Sequence, residues 1–306
     1  MATDTVTTAL RIDKLNRASA RRIIEPDVEI PGEVGPGQVL PIELLSIADL
    51  GLDLTPEQRI RLSREELASI TEAGLRFEAV LMSGFARQIV MAPDLTDPRI
   101  VYALHEIGEE TRHSRLFSRM LAGLGATAKN PMRNKVIDRF NNLSLGQITG
   151  RPALLSVLVL GGEEIPDLFQ KKAMEHPDTD PFIREVNKYH RLEEARHLAY
   201  ARATLPEHWV ESTWRDRFAV KFVAPSLIAG MFDLLVHPGV YRSIGLPGWK
   251  TWNAARKSPT RVALRQEATR PVLQACIDAG VLKRGRLSRG WQRLCGVDRQ
   301  GHALPA

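Results

Sequence analysis

The chain has 306 residues, a formal net charge of +6 and two cysteines, Cys276 and Cys295. It is long enough to bury a substantial core, and so few cysteines exclude both a disulfide-built scaffold and a Cys-ligated iron–sulfur cluster. The apolar run 153–162 is too short to span a bilayer, and 218–236 is interrupted by Lys221, Pro225 and Asp233, so a soluble, cytoplasmic protein without membrane or nucleic-acid contact is expected.

Residues 1–40 show little periodicity and read as an extended arm that ends in the Pro/Gly-rich stretch 30–37, where a helix cannot continue. The remainder, 41–306, reads as a single helical domain. Four start signals follow, each a capping residue before a proline: Thr55-Pro56, Asp97-Pro98, Asp180-Pro181 and Ser258-Pro259. Proline at the first helical turn sacrifices a donor that would be unpaired there anyway. Thr55 with Gln58 completes a capping box. With the apolar spacing, these signals predict helices over 56–91, 98–124, 152–175 and 181–204, then 206–235 and 259–279 with Gly280 as its stop. The first and second pairs are joined by about six residues each, whereas about twenty-seven separate the pairs. Two helical hairpins linked by one long crossover have the connectivity of a ferritin-like four-helix bundle. An all-α fold is expected, with the bundle over 56–204 and additional C-terminal helices and a basic tail over 206–306. Residues 242–306 hold thirteen Lys or Arg against three acids. Without interleaved aromatics, that charge is expected to be solvated or to serve packing.

The stripes that should be buried contain acids and imidazoles. Ile183, Val186, His190, Glu194, His197 and Ala201 recur at spacings of three and four, as do Ile100, Leu104, Ile107, Glu110, Ser114, Phe117 and Leu121, with His113 beside Glu110. Positions three and four apart share a helix face. Glu78 lies in the stripe Leu67, Ile70, Gly74, Glu78, Leu81 and Phe85, and helix 152–175 offers Glu163 and Glu164 in tandem, between which periodicity does not choose. Buried carboxylates repel by about 4 kcal/mol per pair at about 4 Å and an effective dielectric near 20, so something must neutralise them. Four carboxylates balance two divalent cations, and neutral imidazoles add ligand strength without charge. Glu-x-x-His on two helices with a Glu from each of two others is the ligand pattern of di-iron and di-manganese carboxylate proteins. Glu106, Glu109, Glu193 and His105 are expected to be solvated or to support the ligands from outside, and Phe77, Leu81, Met82 and Phe85 to flank a substrate cavity. Carboxylate and imidazole donors suit iron or manganese, and such a pair can reduce O₂.

Glu110-x-x-His113 and His190-x-x-x-Glu194-x-x-His197, with an inward Glu on the first and third bundle helices, resemble the AurF-like di-iron N-oxygenases over about residues 60–205. His190 carries the resemblance, being an imidazole beyond the usual two-histidine set. The resemblance implies a non-haem di-iron cluster held by Glu78, Glu110, His113, Glu163 (or Glu164), His190, Glu194 and His197, with manganese as the other metal considered. It also implies a homodimer that oxidises an amine or arylamine with O₂ toward a hydroxylamine or nitro product. The chain has no flavin, nicotinamide or iron–sulfur motif, so a separate reductase or ferredoxin is expected to supply electrons. The alternatives are a di-metal enzyme oxidising carbon in a lipid or aromatic substrate, and a non-catalytic metal-binding bundle.

Overall fold

The structure, a computed structural model, describes residues 2–21, 23–133, 146, 148 and 150–305. Four long helices dominate: α3 (Pro56–Met91), α4 (Pro98–Leu124), α5 (Pro152–Glu175) and α6 (Pro181–Glu211). They are preceded by α1 (Ala2–Arg21) and α2 (Pro26–Glu29) and followed by α7 (Trp214–Phe218), α8 (Ala224–Leu234), α9 (Pro238–Arg242), α10 (Gly248–Ala255), α11 (Pro259–Asp278) and α12 (Arg289–Cys295). There is no strand among the described residues, only an isolated bridge between Val297 and Ala303. The fold is all-α and ferritin-like, with α3 packed on α4 and α5 on α6. Part of the crossover between the hairpins lies outside the described residues.

The starts follow local chemistry. Thr55 accepts from the Gln58 amide while Gln58 Oε1 accepts from the Thr55 amide, and Asp97, Asp180 and Ser258 each accept from a first-turn amide. Gly125 closes α4 at φ 59° and Gly280 follows α11 at φ 70°, both in the left-handed region that glycine enters without a Cβ clash. The run 123–128, whose spaced glycines look like a dinucleotide fingerprint but follow no strand, is therefore a helix stop.

Three expectations need correction. Residues 2–21 are helical and not an extended arm. The inward face of α1 uses Thr8, Ile12, Leu15, Asn16 and Ser19, a stripe too polar to stand out by hydropathy. Ile12 inserts among Leu81, Phe85, Tyr102 and Tyr200, and Asn16 Nδ2 donates to Pro98 O at 2.9 Å. Second, α6 continues through Pro206 to Glu211 instead of ending at 204, because a proline removes only its own donor and the flanking turns persist. Third, the helix expected over 206–235 is broken at Ser212–Thr213, where Thr213 caps α7.

Beyond that break, α7 passes through a π turn (Ala219–Val223) into α8. Pro225 lacks a donor, and the wider turn frees carbonyls that α12 and its cap satisfy. Ser288 Oγ donates to Lys221 O at 2.8 Å and Trp291 Nε1 to Val220 O at 3.1 Å. The stretch Trp214–Arg242 is the one described segment long and apolar enough to cross a membrane by length and composition. Its Val220, Ala224, Ile228 and Phe232 are buried against α5, α11 and α12. The basic C-terminal part also packs: Arg261 is buried, its guanidinium 4.3 Å from the Phe232 ring centroid.

Close approach of α3 and α5 depends on Gly162. A Cβ there would lie 1.8 Å from Phe77 Cζ. Gly162→Ala is expected to displace that ring and cost about 1–3 kcal/mol, read as a lower denaturant midpoint that Phe77→Leu largely restores.

Candidate metal centre

Between the two hairpins, where hydrophobic packing would ordinarily continue, acids and imidazoles converge. Glu78 comes from α3, Glu110 and His113 from α4, Glu163 from α5, and His190, Glu194 and His197 from α6, all buried. Three overlapping groups have potential ligand atoms within 4.8 Å of one another: Glu78 with His113 and His190, Glu110 with His113 and Glu194, and Glu106 with Glu110 and His197. Glu194 is the hub. Its oxygens lie 3.3 Å from His113 Nδ1, 3.4 Å from His190 Nε2 and 3.1 Å from His197 Nδ1. Glu110 reaches His113 Nδ1 at 3.3 Å and His197 Nδ1 at 3.4 Å, and Glu78 reaches His190 Nε2 at 3.4 Å.

The tandem acids on α5 separate cleanly. Glu164 turns outward into an ion pair with Arg202. Glu163 stays inside, where burial and the neighbouring Glu194 and Glu110 carboxylates raise its pKa well above the ordinary carboxylate value. Only Glu163 therefore faces the other candidate ligands.

A second layer holds the imidazoles. Glu193 meets His113 Nε2 at 3.1 Å, and Glu109 meets His197 Nε2 at 2.9 Å. Each helix thus carries Glu-Glu-x-x-His, and the first Glu of each pair serves the histidine of the other helix. These acids are buried, not solvated. Arg112 and Arg196 pair with them from outside, and Tyr189 Oη donates to Glu193 at 2.8 Å. His190 Nδ1 is held by Gln170 Oε1 at 2.9 Å, and Ser114 donates to Glu78 at 2.6 Å. A carboxylate or amide on the outer nitrogen fixes the ring and leaves the inner nitrogen to coordinate. Gln170 was visible in principle, since it lies seven residues after Glu163 on the same face of α5. His105 is half-buried at the margin.

Glu106 differs most from expectation. It is buried one turn before Glu110, on a face of α4 set by Tyr102, Ala103, Glu106, Glu109 and His113. Leu104, expected inward, is 57% exposed. Burial, reinforced by Glu110 and Glu194 and opposed by His197, lifts the Glu106 carboxyl to about 8. It is then neutral near pH 7 in the metal-free protein, and the other four inner carboxylates match two divalent cations in charge once metal binding has displaced their protons.

Without cations the cage balances itself with protons. Burial disfavours charge on His113, but Glu110, Glu193 and Glu194 outweigh it and push that imidazole up to about 10. His197 is raised in the same way, against burial, by Glu194, Glu106 and Glu109. Burial also opposes charge on Glu109, yet His197 and Arg196 bring its carboxyl down to about 2. Glu78 Oε1, Glu106 Oε2, Glu110 Oε1 and His190 Nε2 are buried with no hydrogen-bond partner. Orphaned buried polar atoms are costly, and four of them aimed into one cage fit bound cations with carboxylate and imidazole preference, iron or manganese. Removing the outer Glu109 by Glu109→Ala is expected to weaken metal binding 10- to 100-fold while leaving the fold intact, measured by chelator competition.

Bundle and cage together define a four-helix carboxylate–histidine protein with three inward imidazoles. The chain belongs to the AurF family, whose model, described as p-aminobenzoate N-oxygenase AurF, matches residues 7–280. It is also similar to an uncharacterized protein of Mycobacterium bovis and one of Mycobacterium tuberculosis, at 28% identity over 184 residues in each case. The matched region is 60% of this chain and 53% of each relative, so the chain spans about half the length of the curated relatives it matches.

Proposed function

We propose that this protein is an O₂-dependent non-haem di-iron oxygenase that oxidises the nitrogen of an amine or arylamine. The observation that carries the reading is His190: a third imidazole inside a carboxylate cage, its Nε2 buried without a partner and its Nδ1 fixed by Gln170. Family membership supports the same reading. Glu78, His113 and His190 would hold one ion and Glu110 and His197 the other, with Glu194 reaching all three imidazoles and Glu163 beside Glu194. A bound iron pair would supply the electrons and the oxygen-transfer chemistry that no side chain here possesses.

The protein's own residues do the rest. Glu109 and Glu193 keep His197 and His113 in one orientation, Ser114 holds Glu78, and Arg112, Arg196 and Tyr189 in turn hold Glu109 and Glu193. The reading includes a homodimer, an external reductase or ferredoxin as electron donor, and a reducing cytoplasmic location, the last supported by two buried free thiols, Cys276 and Cys295.

The test is anaerobic loading with iron or manganese, metal analysis, and exposure of the reduced protein to ¹⁸O₂ with arylamines and matched non-amine aromatics. Labelled hydroxylamine or nitro product is expected with iron. Products labelled only on carbon would overturn nitrogen specificity, and an iron-loaded, reduced protein that consumes no O₂ would overturn the oxygenase reading.

A further inference from the structure

A cavity of about 350 Å³ runs along the bundle axis away from the cage. Its walls follow the helical register. Leu81, Glu106, Val159 and Ala201 stand three or four residues from Glu78, Glu110, Glu163 and His197. Phe85, Ser156 and Thr204 stand seven residues away, and Gln88, Pro152 and His208 ten or eleven. At 1.5 Å per residue the shaft therefore begins about 5 Å from the ligand level and reaches about 16 Å from it.

Chemistry is polarised along this length. Of the acids around the cage only Glu106 lines the shaft, at its inner end, and its Oε2 is an unpartnered buried atom. The middle is mainly apolar, with Leu81, Phe85, Leu155 and Val159, and the hydroxyls of Ser156 and Thr204 that share this level are tied to Pro152 O, His208 and Tyr200 O. The outer end carries Arg87 and Gln88, and Arg87 forms no ion pair or hydrogen bond with any described residue. A pocket of this volume and lining is in the range that binds small ligands, and a cation with no partner among the described residues, at one end of a mainly apolar tube, is complementary to an anion.

We propose that this shaft binds an elongated apolar molecule with a carboxylate head, the carboxylate on Arg87 and the apolar body filling the tube down to Glu106. Binding positions the far end of the ligand one helical turn from the cage. The inference rests on the metal-centre reading only for what lies at the floor of the shaft.

The test uses octanoate, with octanol and octylamine as controls, titrated calorimetrically into the metal-loaded wild-type chain and into variants of known metal content. Octanoate is expected to bind saturably and more tightly than either control, and to slow extraction of metal by a chelator. Arg87→Leu should weaken octanoate at least about 10-fold and leave octanol unchanged. Ala201→Phe fills the shaft one turn from His197, and Gly84→Leu, where an added Cβ meets only Leu155 at 3.8 Å, fills it from α3. Each should abolish binding with metal content retained, and the second serves if the first misfolds. Octylamine binding more tightly than octanoate, or octanoate binding unaffected by either filling variant, would overturn the proposal. Octanoate binding to a chain that takes up no metal would instead overturn the metal-centre reading and leave the shaft assignment standing.

Discussion

Glu194→Ala is expected to abolish stoichiometric metal binding, with affinity reduced by more than about 100-fold. This exceeds the 10- to 100-fold loss typical when only a supporting group is removed, because Glu194 contacts all three inward imidazoles. Removing it also leaves the buried His113 and His197 without the carboxylate that helps hold their charge in the metal-free state. Breaking such a buried pair costs about 3–5 kcal/mol, so the metal-free variant should unfold at lower denaturant. The informative comparison is on α5: Glu163→Gln should impair metal loading, whereas Glu164→Gln, whose partner is Arg202 at the margin, should load like wild type. Metal analysis after anaerobic iron loading reads all three. A Glu194→Ala chain that retains wild-type iron would rule out the cage as the centre.

Metal-free protein is expected to lose stability as pH rises from about 5 to about 10, whereas the metal-loaded form should change little over that window. The sign follows from groups whose folded pKa is raised. Glu106 moves from 4.5 to about 8 and His113 from 6.5 to about 10, with His197 raised as well. Each contributes stability that is fully present below its unfolded pKa and is lost as pH rises through its folded one. The expected loss is on the order of several kcal/mol, spread over the window. Glu109 acts at the opposite end: its carboxyl is lowered from 4.5 to about 2, so its contribution is present above 4.5 and disappears as pH falls through 2. Bound cations require deprotonated ligands and take over the balancing role of these protons. Thermal unfolding of both forms from pH 5 to pH 10 tests this, and equal slopes would refute it.

The long helices were legible because their ends obey local rules. Thr55, Asp97, Asp180 and Ser258 cap where a capping side chain before proline requires it, and α3, α4 and α5 occupy the ranges expected from spacing. Six acids and imidazoles of the cage were legible for a related reason, since they interrupt apolar stripes at helical intervals. Glu106 was not. Two competing stripes run along α4, and hydropathy favoured the one through Leu104, which is largely exposed. Neighbouring residues such as Glu163 and Glu164 differ by about 100° of helix rotation, and only Arg202, on a helix distant in sequence, settles which turns inward. The α1 helix was not legible because its packing against the bundle uses one isoleucine and a few small polar groups, not a continuous apolar face.

The shells around the cage alternate in sign. Inner carboxylates face imidazoles, the imidazoles face Glu109 and Glu193, and those acids face Arg112 and Arg196. Such nested alternation cancels the site's field within a short radius, so an approaching molecule senses little of the centre from solvent. Long-range attraction, the device that lets charged clefts gather ligands from a distance, is thereby given up. Discrimination falls to the width and lining of the shaft that reaches Glu106, and association should vary little with ionic strength except through whatever meets Arg87 at its outer end.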